Sequence, residues 1–479
     1  MIAASFWYKR TTLLSVFFSS VLAGVAAAKL TGGVSIMLVA VFCIFAGICR
    51  NKQLLLQIVS LVALGMVIGI WRGGVYLDRI EPYKQLAGQK VSIVAVADSS
   101  GVYGQNSQLE FDIAHIKIMS PLKLDLPGRM VVSGYGVNSV LRGDTVTSEG
   151  KIYLRRGGKQ AGISYATINV TKRSASVIEK LRRDFLAGLS TSLPEPHDQF
   201  AAGLLIGQKS ELPASVTETL RIVGLSHVIA VSGYNLTILV DVARKRMGKK
   251  SKFRATVSSI LLILLFVALA GSSASIARAA FVSILTVLAS HYGRSVKPVL
   301  LILLAASCTA FINPLNVWTD IGWYLSFFAF FGVLVVAPAV QKRIYGLKKE
   351  PYVIAKILLE TGSAQIMTLP IIMFVFGEIS LVSMVANILV VPLVPLAMLL
   401  SLVAGIAGMV LPLASGIFAW PARVILDFML SVSSILSRIP HAFKQATISA
   451  YTMTIAYVFV VILVIVMHQK AKTSDTITE

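Results

Sequence analysis

The sequence predicts a polytopic α-helical membrane protein with an inserted extracytoplasmic β-barrel of OB-like type. Three observations predict it. The chain is 56% hydrophobic and only 14% charged, where soluble chains carry roughly a quarter charged residues. Many of its apolar runs approach the roughly 20 residues that cross a bilayer. One stretch near the middle breaks the trend, with dense charge and short alternating runs.

Three apolar runs open the chain, at 12–28, 33–49 and 53–71, and residues 1–71 are read as three transmembrane helices. Lys9, Arg10 and the triplet Ala26-Ala27-Ala28 imitate a signal peptide. Two further spans follow at once, so the first helix is expected to stay. Residues 72–175 are read as the barrel. "KVSIVAVADSSGVYGQNSQLEFDIAHIKI" alternates apolar and polar residues around a Gly/Asn/Ser-rich turn, the pattern of a hairpin. "RMVVSGYGV", "DTVTSEGKIYLRR" and "ISYATINVTKR" continue it, giving about five strands between 88 and 173. Residues 176–222 hold two mildly amphipathic stretches, one broken at Pro213. They are too short to span and are expected at the membrane interface.

Residues 223–468 are apolar again and hold about nine helical segments, near 223–242, 255–271, 275–291, 297–312, 319–340, 352–376, 379–411, 415–437 and 450–468. The 379–411 run is too long for one straight crossing. Pro392 and Pro395 each remove an N–H and crowd the preceding turn. The helix is therefore predicted to break at 392–395, which a membrane tolerates only inside the protein or beside water. Residues 469–479 form a tail.

The net charge is +22 and the pI about 10.0. Most of this charge follows the excess of Lys and Arg in cytoplasmic loops. Arg50 with Lys52, the cluster from Arg244 to Arg254, Arg294 with Lys297, Lys342 to Lys349, and Lys470 with Lys472 all fall on one side of a strict up-and-down count. The barrel then lies outside the cytoplasm and the C-terminus inside. Residues 72–222 carry 19 basic and 14 acidic side chains, yet Lys151, Arg155, Arg156, Lys159, Lys172 and Arg173 gather at the end of the barrel. They suit lipid headgroups or the phosphates of a nucleic acid.

The three cysteines lie in or beside apolar runs, and no HxxEH, HExxH, CxxC or HxHxDH pattern occurs. No metal and no cofactor are expected.

Ionisable and strongly polar residues inside a membrane are costly and point to function. In "GLSHVIAVSGYNLTILV" they are His227, Ser232 and Asn235, with Gly233 beside them. His227 and Asn235 are eight residues apart and share a helix face. Ser232-Gly233 offers a break whose freed backbone groups face a substrate. Arg278, Asp320, Gln365 and Asn387 complete the set, and Asp320 is a candidate partner for Arg278. The competing reading is helix packing through small residues and interhelical hydrogen bonds. Ser232 and His227, five apart and without an orienting third group, make a poor nucleophile and base. Trp318, Trp323, Tyr324, Phe327 and Phe328 fit an interfacial aromatic belt better than base stacking.

"GLLIGQKSELPASVTETLRIVGLSHVIAVSGYNLTILV" resembles the signature region of the ComEC family, the inner-membrane DNA channels of natural transformation. The resemblance continues in order through the small-residue span ending in Arg278-Ala279-Ala280, "INPLNVWTDIGWYLSFFAFFGVLVVAP" and "SAQIMTLPIIMFVFGEISLVSMVANILVVPLVP". It implies passage of single-stranded DNA into the cytoplasm. It also implies an extracytoplasmic DNA-receptor protein and a cytoplasmic motor or single-strand-binding proteins as partners, beside membrane lipid. It carries over onto Gly224, His227, Ser232, Gly233, Arg278, Ala279, Asp320, Gly322, Ser326, Pro370, Asn387 and Pro392. Family members usually read Ser-Gly-Leu-His where this chain has Ser232-Gly233-Tyr234-Asn235. Asparagine hydrogen-bonds but does not titrate, which argues against proton chemistry there. The metallo-β-lactamase-like domain of longer relatives, with its HxHxDH motif, is not found, so strand degradation is expected to fall to a separate protein or not to occur at all. Two rival readings are a secondary transporter of a small anionic solute and a membrane-embedded hydrolase. The hydropathy shows no inverted repeat, which disfavours the transporter. Monomer and homodimer both remain open.

Overall fold

Apolar runs become helices because lipid offers backbone N–H and C=O groups no other partner. The computed structural model describes residues 10–49, 54–103, 108–137, 139–155, 158–207, 212–229, 251–270, 274–294, 297–346 and 352–476. The N-terminal helices are α1 (Arg10–Thr31), α2 (Ile36–Cys49) and α3 (Leu54–Gln85). After the barrel come α4 (Val177–Ser192), α5 (His197–Ile206) and α6 (Ala214–Ile222). The C-terminal half holds α7 (Lys252–Ala270), α8 (Ala274–His291), α9 (Pro298–Ile312), α10 (Ile321–Tyr345), α11 (Val353–Val375), α12 (Ser383–Val410), α13 (Ser415–Ser437) and α14 (Ala450–Thr476). Among the described residues, seven helices are long and apolar enough to cross a membrane, and four apolar ones are shorter. The protein is a multi-pass membrane protein. The segment expected at 223–242 lies mostly outside the described residues.

The barrel strands are β1 (Lys90–Ala97), β2 (Leu109–Ser120), β3 (Leu124–Tyr135), β4 (Thr145–Leu154) and β5 (Ala161–Lys172). They close in the order β1-β2-β3-β5-β4-β1, antiparallel except for the parallel β3–β5 pair. This is the Greek-key order of an OB-type barrel. Alternate inward residues fill it, among them Ile93, Phe111, Met130, Ile152 and Ile163.

Two expectations change. The third helix does not stop near residue 71 but runs to Gln85. Its last turns are amphipathic, with Tyr76 and Tyr83 seven residues apart on one face. Tyr83 is fully buried in the barrel core and its hydroxyl donates to the Pro127 carbonyl at 2.7 Å. The break expected at Pro392 and Pro395 takes a milder form. The chain tightens into a 3₁₀ turn over Val391–Leu393 and then continues as helix. Pro392 and Pro395 each sit at the start of a helical segment, where a missing N–H costs nothing.

The chain divides into two compact units, Met1–Leu181 with Gly271–Tyr324, and Arg182–Ala270 with Leu325–Glu479. In the first, α1 and α3 approach so closely that a Cβ at Gly69 would overlap the Val21 carbonyl. In the second, Ser192 at the end of α4 donates to the Ala404 carbonyl of α12 at 2.9 Å, and α5 packs against α12 and α13.

Candidate functional site

In the first unit the polar centre is Arg278 on α8, 3% exposed. Its Nη2 donates to the Gly322 carbonyl at 3.2 Å, and the Asp320 carboxylate acts on it through space. Asp320 itself caps α10, its Oδ1 accepting the Trp323 N–H at 3.3 Å. The two residues expected to pair are thus neighbours, although the direct bond goes to backbone.

The turn before α10 also receives the barrel. Asn313 Nδ2 donates to the Gly158 carbonyl, in the β4–β5 loop, at 3.1 Å. A Cβ on Gly158 would lie 3.3 Å from the Asp320 carboxylate. The barrel therefore meets the 313–320 turn at the end of α9. The aromatic residues here serve packing. Trp318 Nε1 donates to the Val25 carbonyl at 2.8 Å, Trp323 Nε1 to Thr309 Oγ1 at 2.9 Å, and the Tyr324 hydroxyl to the Val317 carbonyl at 2.5 Å. In the second unit Phe327 is buried and Phe328 stacks on Tyr457 with ring centroids 5.1 Å apart.

The second unit gathers three expected residues around one that was not foreseen, Ser383. Gln365 Nε2 donates to Ser383 Oγ. Asn387 follows Ser383 by four residues on the same face of α12, 4% exposed, with Oδ1 accepting no hydrogen bond among the described residues. Gly224 packs on Ser383 from the other side with φ of 74°, and a Cβ there would lie 2.7 Å from the serine Cβ. His227 lies one turn further on, accessible, with Nδ1 3.1 Å from the Gly224 carbonyl. A carbonyl only accepts, so neutral His227 carries its proton on Nδ1 and presents Nε2 as an acceptor. Ser232, Gly233 and Asn235 lie outside the described residues. Ser383 had no mark in the sequence, being one serine among many in the apolar half.

A second overlooked group is buried His197, whose Nε2 lies 3.4 Å from Asp427 Oδ1 of α13. Arg423 precedes Asp427 by four residues, and both are exposed on α13. Two opposite charges one turn apart inside the apolar 415–437 run were the available signal.

On the barrel, half of the expected DNA contacts are occupied by acids. Arg155 pairs with Glu110 at 2.9 Å, Lys159 with Asp112, and Arg173 with the fully buried Asp144 at 2.6 Å. Lys151 and Lys172 are exposed. Arg156 lies outside the described residues.

Residues 204–471, more than half of the chain, match the family model described as Competence protein. The chain is also similar to ComE operon protein 3 of Bacillus subtilis (strain 168), 24% identical over 206 residues. That stretch is 42% of this chain and 25% of the relative, so the match spans about a quarter of the relative's length. No solved structure matches.

Proposed function

This chain belongs to the Competence protein family, and on that premise we propose that it is a channel carrying single-stranded DNA across the cytoplasmic membrane during natural transformation. The observation that carries the reading is the family match over residues 204–471. The OB-type strand order supports it, since such barrels bind oligonucleotides. So do the polar groups placed among apolar helices, Arg278 in one unit and Gln365, Ser383 and Asn387 in the other. A strand of phosphates and bases needs such a polar, hydrated lining.

In this reading the barrel faces the exterior and the C-terminus the cytoplasm, following the loop charges. The strand passes His227, Ser232, Gly233, Asn235, Arg278, Asp320, Gln365 and Asn387. Lys151, Lys172 and the ion-paired Arg155, Lys159 and Arg173 meet it first, the last three by exchanging carboxylate for phosphate. The test is uptake of fluorescent DNA into the cytoplasm of a strain lacking this protein. Restoration by the wild-type chain and loss with His227→Ala or Arg278→Ala are expected. Normal transformation without the protein would refute the function, and normal uptake by both variants would refute the site.

A further inference from the structure

Five basic side chains at the barrel are held by acids: Arg129, Arg142, Arg155, Lys159 and Arg173. Lys90 and Lys151 have no ion pair among the described residues. They stand directly opposite each other on β1 and β4, both exposed. Like charges facing each other across a ladder repel, and a bound anion relieves that repulsion.

The same row continues across the sheet. Lys151 pairs with Ser164 of β5, and the next residue, Tyr165, is the extra residue of a bulge. Pairing skips it on both sides, between Lys151–Ser164 and Glu149–Thr167 toward β4, and between Val132–Ile163 and Gly134–Ala166 toward β3. Tyr165 has φ of 50° and is 73% exposed. That conformation is costly for any residue with a Cβ. Both flanking strands make room with glycine: a Cβ on Gly134 would overlap the Ala166 carbonyl, and one on Gly150 would lie 2.6 Å from Ile163 Cγ2.

Neither the strained backbone nor the exposed ring helps the barrel fold, and glycine at 165 would serve folding better. The outward neighbours are Ser133, Ser164 and Thr167, with Tyr135 opposite Thr167 on one side, 48% exposed, and the exposed Glu149 opposite it on the other. A floor of hydroxyls with one carboxylate at its edge suits a polar ligand rather than lipid tails. We propose that the row Lys90, Lys151 and Tyr165 is a binding site for single-stranded nucleic acid, a base stacking on Tyr165 and the lysine pair holding phosphate. The site rests on the reading that this chain handles a single DNA strand. It lies on the β1-β4-β5 face, not on β2, where Glu110 and Asp112 already hold Arg155 and Lys159.

The experiment measures binding of fluorescent oligo-dT at low salt to the full chain in nanodiscs of zwitterionic lipid. Tyr165→Gly is expected to weaken binding about tenfold, the worth of one stacked base, while melting no lower than wild type. Tyr165→Phe keeps the ring and binds as wild type. With an oligonucleotide of abasic sites the difference between wild type and Tyr165→Gly disappears. The double variant Lys90→Ala/Lys151→Ala lowers the salt slope of log K by about 1.4, two single-strand phosphate contacts. Wild-type binding with unchanged affinity in Tyr165→Gly overturns this site alone. Absence of wild-type binding overturns the functional reading and the site with it. Quenching of Tyr165→Trp by brominated lipid, undiminished by oligonucleotide, assigns the face to the membrane and overturns the proposal.

Discussion

Replacing Arg278 by methionine separates a structural charge from a functional one. Arg278 is 3% exposed, donates a hydrogen bond of 3.2 Å to the Gly322 carbonyl, and feels the Asp320 carboxylate. Methionine removes that charge-assisted bond, a loss of about 1.5–3 kcal/mol. It also removes the cost of holding a guanidinium in an apolar span, about 2.5–3.5 kcal/mol on the insertion scale. The two nearly cancel, and the unbranched chain follows the same path between helices. Arg278→Met is therefore expected to accumulate in the membrane and to melt within about 1 kcal/mol of wild type, as buried charges replaced by apolar groups often do. Uptake should behave differently. Loss of one charge-assisted phosphate contact of about 1.5–3 kcal/mol lowers uptake by a factor of about 10–150. Arg278→Lys keeps charge but not the planar fork, and falls between. The assay pairs transformation frequency with the melting of a fluorescent fusion in detergent. Wild-type uptake by Arg278→Met refutes the functional role. Abundance falling in step with uptake refutes the cancellation and makes the arginine a structural element.

Other perturbations follow from single contacts. Tyr83→Phe loses the bond to the Pro127 carbonyl and should cost about 1–2 kcal/mol, read as faster proteolysis within the barrel at unchanged membrane insertion. Burial raises the carboxyl of Asp198 above its ordinary range. The folded state then holds its proton longer than the unfolded one, so stability falls as pH rises through the window above about 3.9. Asp198→Asn should accordingly melt higher than wild type at pH 7 and equally near pH 4; equal melting at both refutes the assignment. Gly224→Ala places a Cβ against Ser383 in a left-handed conformation worth about 1–2 kcal/mol of strain, and should reduce uptake by displacing His227 without touching it.

The sequence and the structure agree where one interaction decides. Apolar runs have only helix available to them in lipid, so the multi-pass helical class could be read directly. Arg278 and Asp320 were conspicuous because charge in an apolar run has few explanations. Ser383 was invisible for the opposite reason: its meaning comes from α11, α12 and the Gly224 turn meeting at one point. The end of α3 was missed because hydropathy falls at Trp71-Arg72 while the helix continues on packing. Its Tyr83 is paid for by the barrel core, not by lipid.

The barrel shows how a site can hide in plain alternation. Strict period-two reading of "AGISYATINVTK" outward from Ile163 turns Tyr165 into the core and Ile168 onto the surface. Yet Ile163 and Ile168 both point inward, five residues apart. An odd spacing between two buried residues of one strand requires an extra residue between them, and Tyr165 is that residue. The same parity conflict separates Ile113 from Ile116 in β2. There the extra residue is His115, exposed with φ of 52°. Parity therefore locates both bulges from sequence once the strands are known, and a bulge re-aims a side chain out of the core. At His115 the flanking outward residues include Asp112, already joined to Lys159. At Tyr165 they are hydroxyls, the facing Lys90 and Lys151, which make no ion pair among the described residues, and Glu149 two residues from Lys151. That difference in surroundings, rather than the strain the two positions share, singles out Tyr165 as the place for a ligand.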